Sequence, residues 1–132
     1  MAQLLVARFL DGRVLKGTSM DVAATRPRFH LRPAEGGPVE DVAMADLKAL
    51  FFVKSLEGDP ARDEVQVLSP GDPRARGSRL VVVRFADGEE IVGLTIRYPP
   101  ISTFYFITPV DPESNNIRML VNGDAVTSTE AR

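Results

Sequence analysis

The 132-residue chain has no cysteine and one histidine. Without cysteine there is no disulfide framework and no thiolate zinc site. A lone histidine, His30, excludes a His-based catalytic triad and a multi-histidine metal centre within one chain. No apolar run approaches the roughly 18 residues of a membrane span. The start, "MAQLLVARFLDGR", has no basic leader and is interrupted by Arg8, so it reads as a strand and not as an export signal. Positive charge is not in excess: 16 Lys and Arg stand against 18 Asp and Glu, a net charge of −2. A global basic footprint for nucleic acid is therefore absent. These absences give the expectation of a cytoplasmic protein that does not cross a membrane.

What is present is an ordinary globular composition, 44% hydrophobic and 26% charged, and a sentence said twice. "VARFLDGRVLKG" begins at Val6 and "VVRFADGEEIVG" at Val82. At a constant offset of 76, Arg8 meets Arg84, Phe9 meets Phe85, Asp11-Gly12 meets Asp87-Gly88 and Gly17 meets Gly93. Carried on without a gap, Pro33 meets Pro109 and Ala49 meets Ala125. Two copies are too few for a solenoid and predict two similar small units. The expected organisation is a first repeat at 1–54, a linker at 55–78 rich in Pro, Gly and charge, and a second repeat at 79–132.

Asp-Gly between apolar runs predicts a hairpin with a type I′ turn in each copy. It pairs residues 3–10 with 13–21 and 79–86 with 89–97. Gly17 and Gly93 fall inside the second strands, where glycine marks a bend or a close backbone approach. Third strands are expected at 28–33 and 103–109, and fourth strands near 38–44 and 116–121. Fifth strands are expected at 49–54 and 125–129, with a helical turn at "MADLK" before the first of them. A further short strand is expected in "EVQVL" of the linker. The fold class expected is all-β: two tandem five-stranded Sm-like or SH3-like barrels packed together. "ALFFV" has no polar face, so its second face needs cover from the other repeat or from a homo-oligomer.

At "VVVRFADGEEIVGLTIRY" the pattern resembles the first Sm motif, and "MLVNGDAV" the second. "LKALFFVKSLEGDP" together with "ITPVDPESNNIRMLV" resembles an uncharacterised bacterial family in which such segments occur in tandem, sometimes beside signalling domains. That family carries no established activity. Sm proteins that bind RNA place Asp and Asn between the second and third strands. Here Asp21 stands near that point without a following Asn, and the second copy has Arg97-Tyr98-Pro99-Pro100.

Candidate contacts are few. Arg26, Arg28 and Arg32 cluster in "RPRFHLR"; Arg28 and Arg32 share one strand face and suit phosphate. They also match the RxxxR half of a PilZ cyclic-dinucleotide motif, without its companion motif. Tyr98 and Phe104, in "RYPPISTFYF", suit a peptide-binding lip. "DPESNN" (111–116) offers oxygens for a hard cation but also favours turns. Arg8 and Arg84 are expected to pair with Asp11 and Asp87 or with a carboxylate across the interface between repeats. No nucleophile with an acid–base partner is legible, and no cofactor or metal is implied. The expectation is a non-enzymatic module that binds a partner protein or ligand through loops or strand edges. Single-stranded RNA binding and cyclic-dinucleotide reception are the alternatives.

Overall fold

The computed structural model describes residues 2–58 and 65–132. The chain is all-β. Its strands are β1 (Gln3–Phe9), β2 (Val14–Ser19), β3 (Arg28–Pro33), β4 (Glu40–Ala43), β5 (Leu47–Val53), β6 (Arg79–Phe85), β7 (Glu90–Thr95), β8 (Phe104–Pro109), β9 (Asn116–Asn122) and β10 (Val126–Ala131). Single 3-10 turns occupy Met44–Asp46, Pro73–Ala75 and Gly123–Ala125. The strands form one open antiparallel sheet in the order β10-β6-β7-β8-β9-β5-β1-β2-β3-β4. Among the described residues no helix is long and apolar enough to cross a membrane.

Both Asp-Gly hairpins form, but not with the expected turn. No residue other than glycine has a positive φ among those described, so Asp11 and Asp87 do not take the left-handed step that a type I′ turn demands. Instead Gly12 N–H donates to the Phe9 carbonyl at 3.0 Å, and Gly88 N–H to the Phe85 carbonyl at 2.9 Å. Gly12 (φ 95°) and Gly88 (φ 94°) then supply the left-handed residue, as in a three-residue hairpin closed by a glycine bulge. Each aspartate stabilises its turn through its side chain. Asp11 accepts from Arg13 N–H at 2.9 Å and Asp87 from Glu89 N–H at 3.0 Å.

Residues 3–53 and 79–131 follow the same pairing scheme. The registers β1–β2 and β6–β7 coincide at an offset of 76, as do β2–β3 and β7–β8. After the third strand the offset becomes 79. Leu31 pairs with Glu40 where Ile107 pairs with Met119, and Phe9 pairs with Leu47 where Phe85 pairs with Val126. Even the bulge recurs, beside Phe9 in one half and beside Val126 in the other. The ungapped alignment of Ala49 with Ala125 is thus three residues out; the segments 34–39 and 110–115 are equally long, and the extra three residues are Asn116–Arg118, at the start of β9 before Met119 pairs with Ile107.

Closure into two separate barrels is not what the ladders draw. Among the described residues β4 does not pair with β5, nor β9 with β10; β5 pairs with β9 and joins the halves into one sheet. The reason lies in β5, LKALFFV, every residue of which is buried. Leu50 and Phe52 enter a first core with Leu5, Ala7, Phe29 and Leu31. Ala49, Phe51 and Val53 enter a second with Val81, Val83, Phe85 and Ile107. Successive side chains point to opposite faces of a strand, so the two cores lie on opposite sides of β5. Each half supplies the cover that the other's strands need.

A charged cluster locks this junction. Lys48, buried at the bulge, donates to Asp87 at 2.7 Å and also bonds Glu89, while Arg8 reaches Glu89 at 2.9 Å. Burial pulls the Lys48 ammonium pKa down, but its bonds to Asp87 and Glu89 outweigh this and hold it above the ordinary value. Arg8 therefore pairs across the halves, whereas Arg84 pairs within its own, with Glu90 (2.9 Å) and Glu130 (3.1 Å).

The linker is pinned where it is described. Arg74 donates to the carbonyls of Pro109 (2.9 Å) and Val110 (2.7 Å) and is held by Asp72. Asn115 bonds Ser55 through both its oxygen and its nitrogen. The strand expected in "EVQVL" is absent at Val65–Leu68, and Glu64 lies outside the described residues.

Candidate functional site

Gly17 and Gly93 set the geometry of two equivalent clefts. A Cβ on Gly17 would stand 2.1 Å from the Arg32 carbonyl oxygen, and one on Gly93 2.1 Å from Ile107 Cγ2 and 2.8 Å from the Thr108 oxygen. Only glycine lets these backbones approach so closely. Pairing then stops after two positions: Gly17↔Pro33 and Thr18↔Arg32 in one half, Gly93↔Pro109 and Leu94↔Thr108 in the other. Beyond them the strands part into the segments 20–27 and 96–103 and leave a cleft in each half. The first cleft is about 380 Å³ and the second about 210 Å³. At an offset of 76 their linings correspond: Met20 with Ile96, Asp21 with Arg97, His30 with Phe106, Arg32 with Thr108.

The linings correspond in place and differ in chemistry. In the first cleft Asp21 accepts from His30 N–H at 2.9 Å and from the Ser19 hydroxyl at 3.1 Å, and its Oδ2 lies 2.7 Å from His30 Nδ1. The bond to the His30 ring, then that from the His30 backbone, holds the Asp21 carboxyl down at about 2. Asp21 thus fastens β3 at His30, where its ladder to β2 has stopped. Ser19 bonds the carboxylate and not the imidazole, so the trio is a clip with no relay to a nucleophile.

Both linings are mostly apolar, but the second cleft has no counterpart of this clip and carries aromatic side chains where the first has His30. Ile96 and Ile101 are 87% and 77% exposed; Phe104, Phe106 and Pro100 join them in the lining, with Thr95, Ser102 and Arg97 as polar neighbours. Arg118 does not line the cleft but sits beside it, over one of its lining rings. Its guanidinium stands 4.4 Å from the Phe106 ring and 4.5 Å from the Phe52 ring, held by cation–π contact. Neither Arg97 nor Arg118 has a carboxylate partner among the described residues.

The structure sorts the sequence candidates. Phe104 lines the second cleft, but Tyr98 turns away: its hydroxyl donates to the Thr129 carbonyl at 3.2 Å and its ring packs on the second core. Arg28 and Arg32 share the exposed face of β3, as the alternation predicts, with His30 between them. Arg28 is bonded to Asp41 at 3.0 Å, only Arg32 borders the first cleft, and Arg26 precedes the strand. Asp11, Gly12, Asp87 and Gly88 build the turns, and Gly17 and Gly93 the close approaches. "DPESNN" is a turn: Asp111 accepts from Val65 N–H (3.0 Å) and Glu113 N–H (2.9 Å), and Ser114 from Asn116 N–H (3.1 Å). Among the described residues no group of three or more His, Cys, Asp or Glu is placed to hold a metal. Sequence reasoning missed Arg118, because its partners Phe52 and Phe106 are distant in the chain and meet only through β5–β9 and β8–β9 pairing.

Comparison with known proteins gives a family and no activity. The model of a family of unknown function, DUF6982, matches residues 1–131. No curated protein and no solved structure matches the chain.

Proposed function

The chain belongs to the DUF6982 family, and from its clefts we propose a non-enzymatic, cytoplasmic interaction module built by duplication of a small Sm-like or SH3-like unit. Its partner is a protein segment that combines an aliphatic or aromatic side chain with a nearby carboxylate. The second cleft carries this reading: a mostly apolar lining with exposed Ile96 and Ile101, Arg97 at its border and Arg118 beside its Phe106, neither arginine having a carboxylate partner among the described residues. Apolar lining provides affinity, and an unpaired guanidinium selects an anionic neighbour and repels a basic one. The duplication reading rests on the shared order and registers of the two halves, including the recurring bulge.

RNA and cyclic dinucleotides are the competing ligand classes. The net charge of −2 and the engagement of Arg28 by Asp41 favour the protein partner.

Selection of random 12-residue peptides on the immobilised protein tests the proposal. Enriched sequences are expected to pair Leu, Ile or Phe with Asp or Glu, and Arg97→Ala, Arg118→Ala and Ile96→Asp should each weaken them about tenfold or more. Enrichment of basic peptides, or binding indifferent to all three substitutions, overturns it. So does tighter binding of oligouridylate or a cyclic dinucleotide in the same cleft.

A further inference from the structure

The joint between the halves has a counterpart at the outside of the sheet. Inside, the fourth strand of one half (β9) lies beside the fifth strand of the other (β5). Outside, the remaining fourth strand (β4) and fifth strand (β10) are, among the described residues, the two edges of the same sheet. A second copy of the chain, added by the internal rule, would set its β10 against β4.

At that joint, the residues differ place by place. Inside, Phe51 faces Met119, Leu50 faces Leu120 and Ala49 faces Val121. At the offset of 79, the outer counterparts are Glu130 facing Glu40, Thr129 facing Asp41 and Ser128 facing Val42. Phe104 and Phe106, which pack on the first core across the joint, have Arg28 and His30 as counterparts at the offset of 76. Each acid is also held on its own chain: Arg13 reaches Glu40 at 2.6 Å and Arg84 reaches Glu130 at 3.1 Å. Adding a copy would place two carboxylates directly opposite and withdraw charged groups from water, both unfavourable. Charged side chains on an exposed edge are a general defence against strand addition.

We infer that β4 and β10 are disarmed counterparts of the internal joint, and that Glu40, Asp41 and Glu130 prevent a second copy of this chain from adding edge to edge. The inference rests on strand registers and does not involve the clefts, so it stands or falls apart from the ligand proposal.

Sedimentation velocity of the 132-residue chain at about 10–200 μM tests it. The natural chain should sediment as a single copy. One variant carries Glu40→Met with Asp41→Leu, and another carries Ser128→Ala with Glu130→Phe. Each alone should stay single, and an equimolar mixture should form a one-to-one dimer joined by the two converted edges. Self-association of the natural chain overturns the inference, as does failure of the two variants to associate when both keep the natural circular dichroism. Should a variant not fold, hydrogen exchange of the natural chain decides. Amides of β4 and β10 should exchange at least a hundredfold faster than those of β5 and β9, and equal protection overturns it.

Discussion

The Lys48 ammonium reaches the Asp87 carboxylate at 2.7 Å across the junction of the two halves, a strand in one half gripping the hairpin turn of the other. Lys48→Ala is expected to destabilise the chain by about 1–3 kcal/mol, the range for losing charged hydrogen bonds at a partly buried site. Lys48→Met, which keeps a long side chain beside the Phe85 ring where the ammonium now stands, should cost less. Urea denaturation of the two variants checks both the loss and its order.

Acid should weaken the fold in stages. Asp21 sits at about 2 against an ordinary 3.8, so the stability it contributes is complete above about pH 4 and lost as pH falls towards 2. Asp87 is also lowered, first by its bond to Lys48. Burial raises Glu89, but Lys48 and Arg8 outweigh it and leave its pKa lowered. Their contributions likewise vanish as pH drops through and below the carboxylate range. Denaturation midpoints at pH 7, 4 and 2.5 should fall monotonically, and Asp21→Asn should flatten the lowest part of the curve.

Alanine should not be tolerated where the strands part. Gly17→Ala drives a Cβ to 2.1 Å from the Arg32 backbone oxygen, and Gly93→Ala drives one to 2.1 Å from Ile107 Cγ2, a methyl on the Cβ of a buried β-branched residue, and 2.8 Å from the Thr108 oxygen. Both should destabilise by about 1–3 kcal/mol or more through overpacking, since neither a backbone nor a stiff buried isoleucine gives way readily. Thermal unfolding of the two variants against the natural chain measures the loss.

The two halves should unfold together, because β5 belongs to both cores. Both tyrosines, Tyr98 and Tyr105, lie in the second half, and the chain has no tryptophan. Tyrosine fluorescence therefore reports that half alone, while far-ultraviolet circular dichroism reports both. Coincident midpoints are expected, and Phe52→Ala, in the first core, should shift both by the same amount, at a cost of about 3–5 kcal/mol. Separate transitions would contradict the shared strand.

Much of this fold was legible because it is local. Asp-Gly marks its turns, Gly17 and Gly93 mark close approaches, and alternation in "RFHLRP" correctly places Arg28 and Arg32 on one face. The turn type was not legible, since Asp-Gly serves both a type I′ turn and a type I turn closed by glycine; only φ distinguishes them. The three-residue shift after the third strand was hidden because "ALFFV" and "AVTST" share only their first alanine and so fix no register between them. Docking of the halves follows from β5–β9 pairing over long sequence separation, which no local pattern encodes. The second cleft was half visible: Phe104 was found and Arg118 was not, while Tyr98 faces the core.

The bulge at Lys48 has a consequence for how β5 finds its alignment. In most strands a slip by one position is punished because greasy side chains turn towards water. In β5 either parity lands in hydrocarbon, so that penalty is missing between Ala49 and Val53. The ammonium of Lys48 supplies it: displaced by one residue, a charge would be pulled from its two carboxylates and left facing oil. Lys48 is thus the index mark by which an otherwise ambidextrous strand is seated.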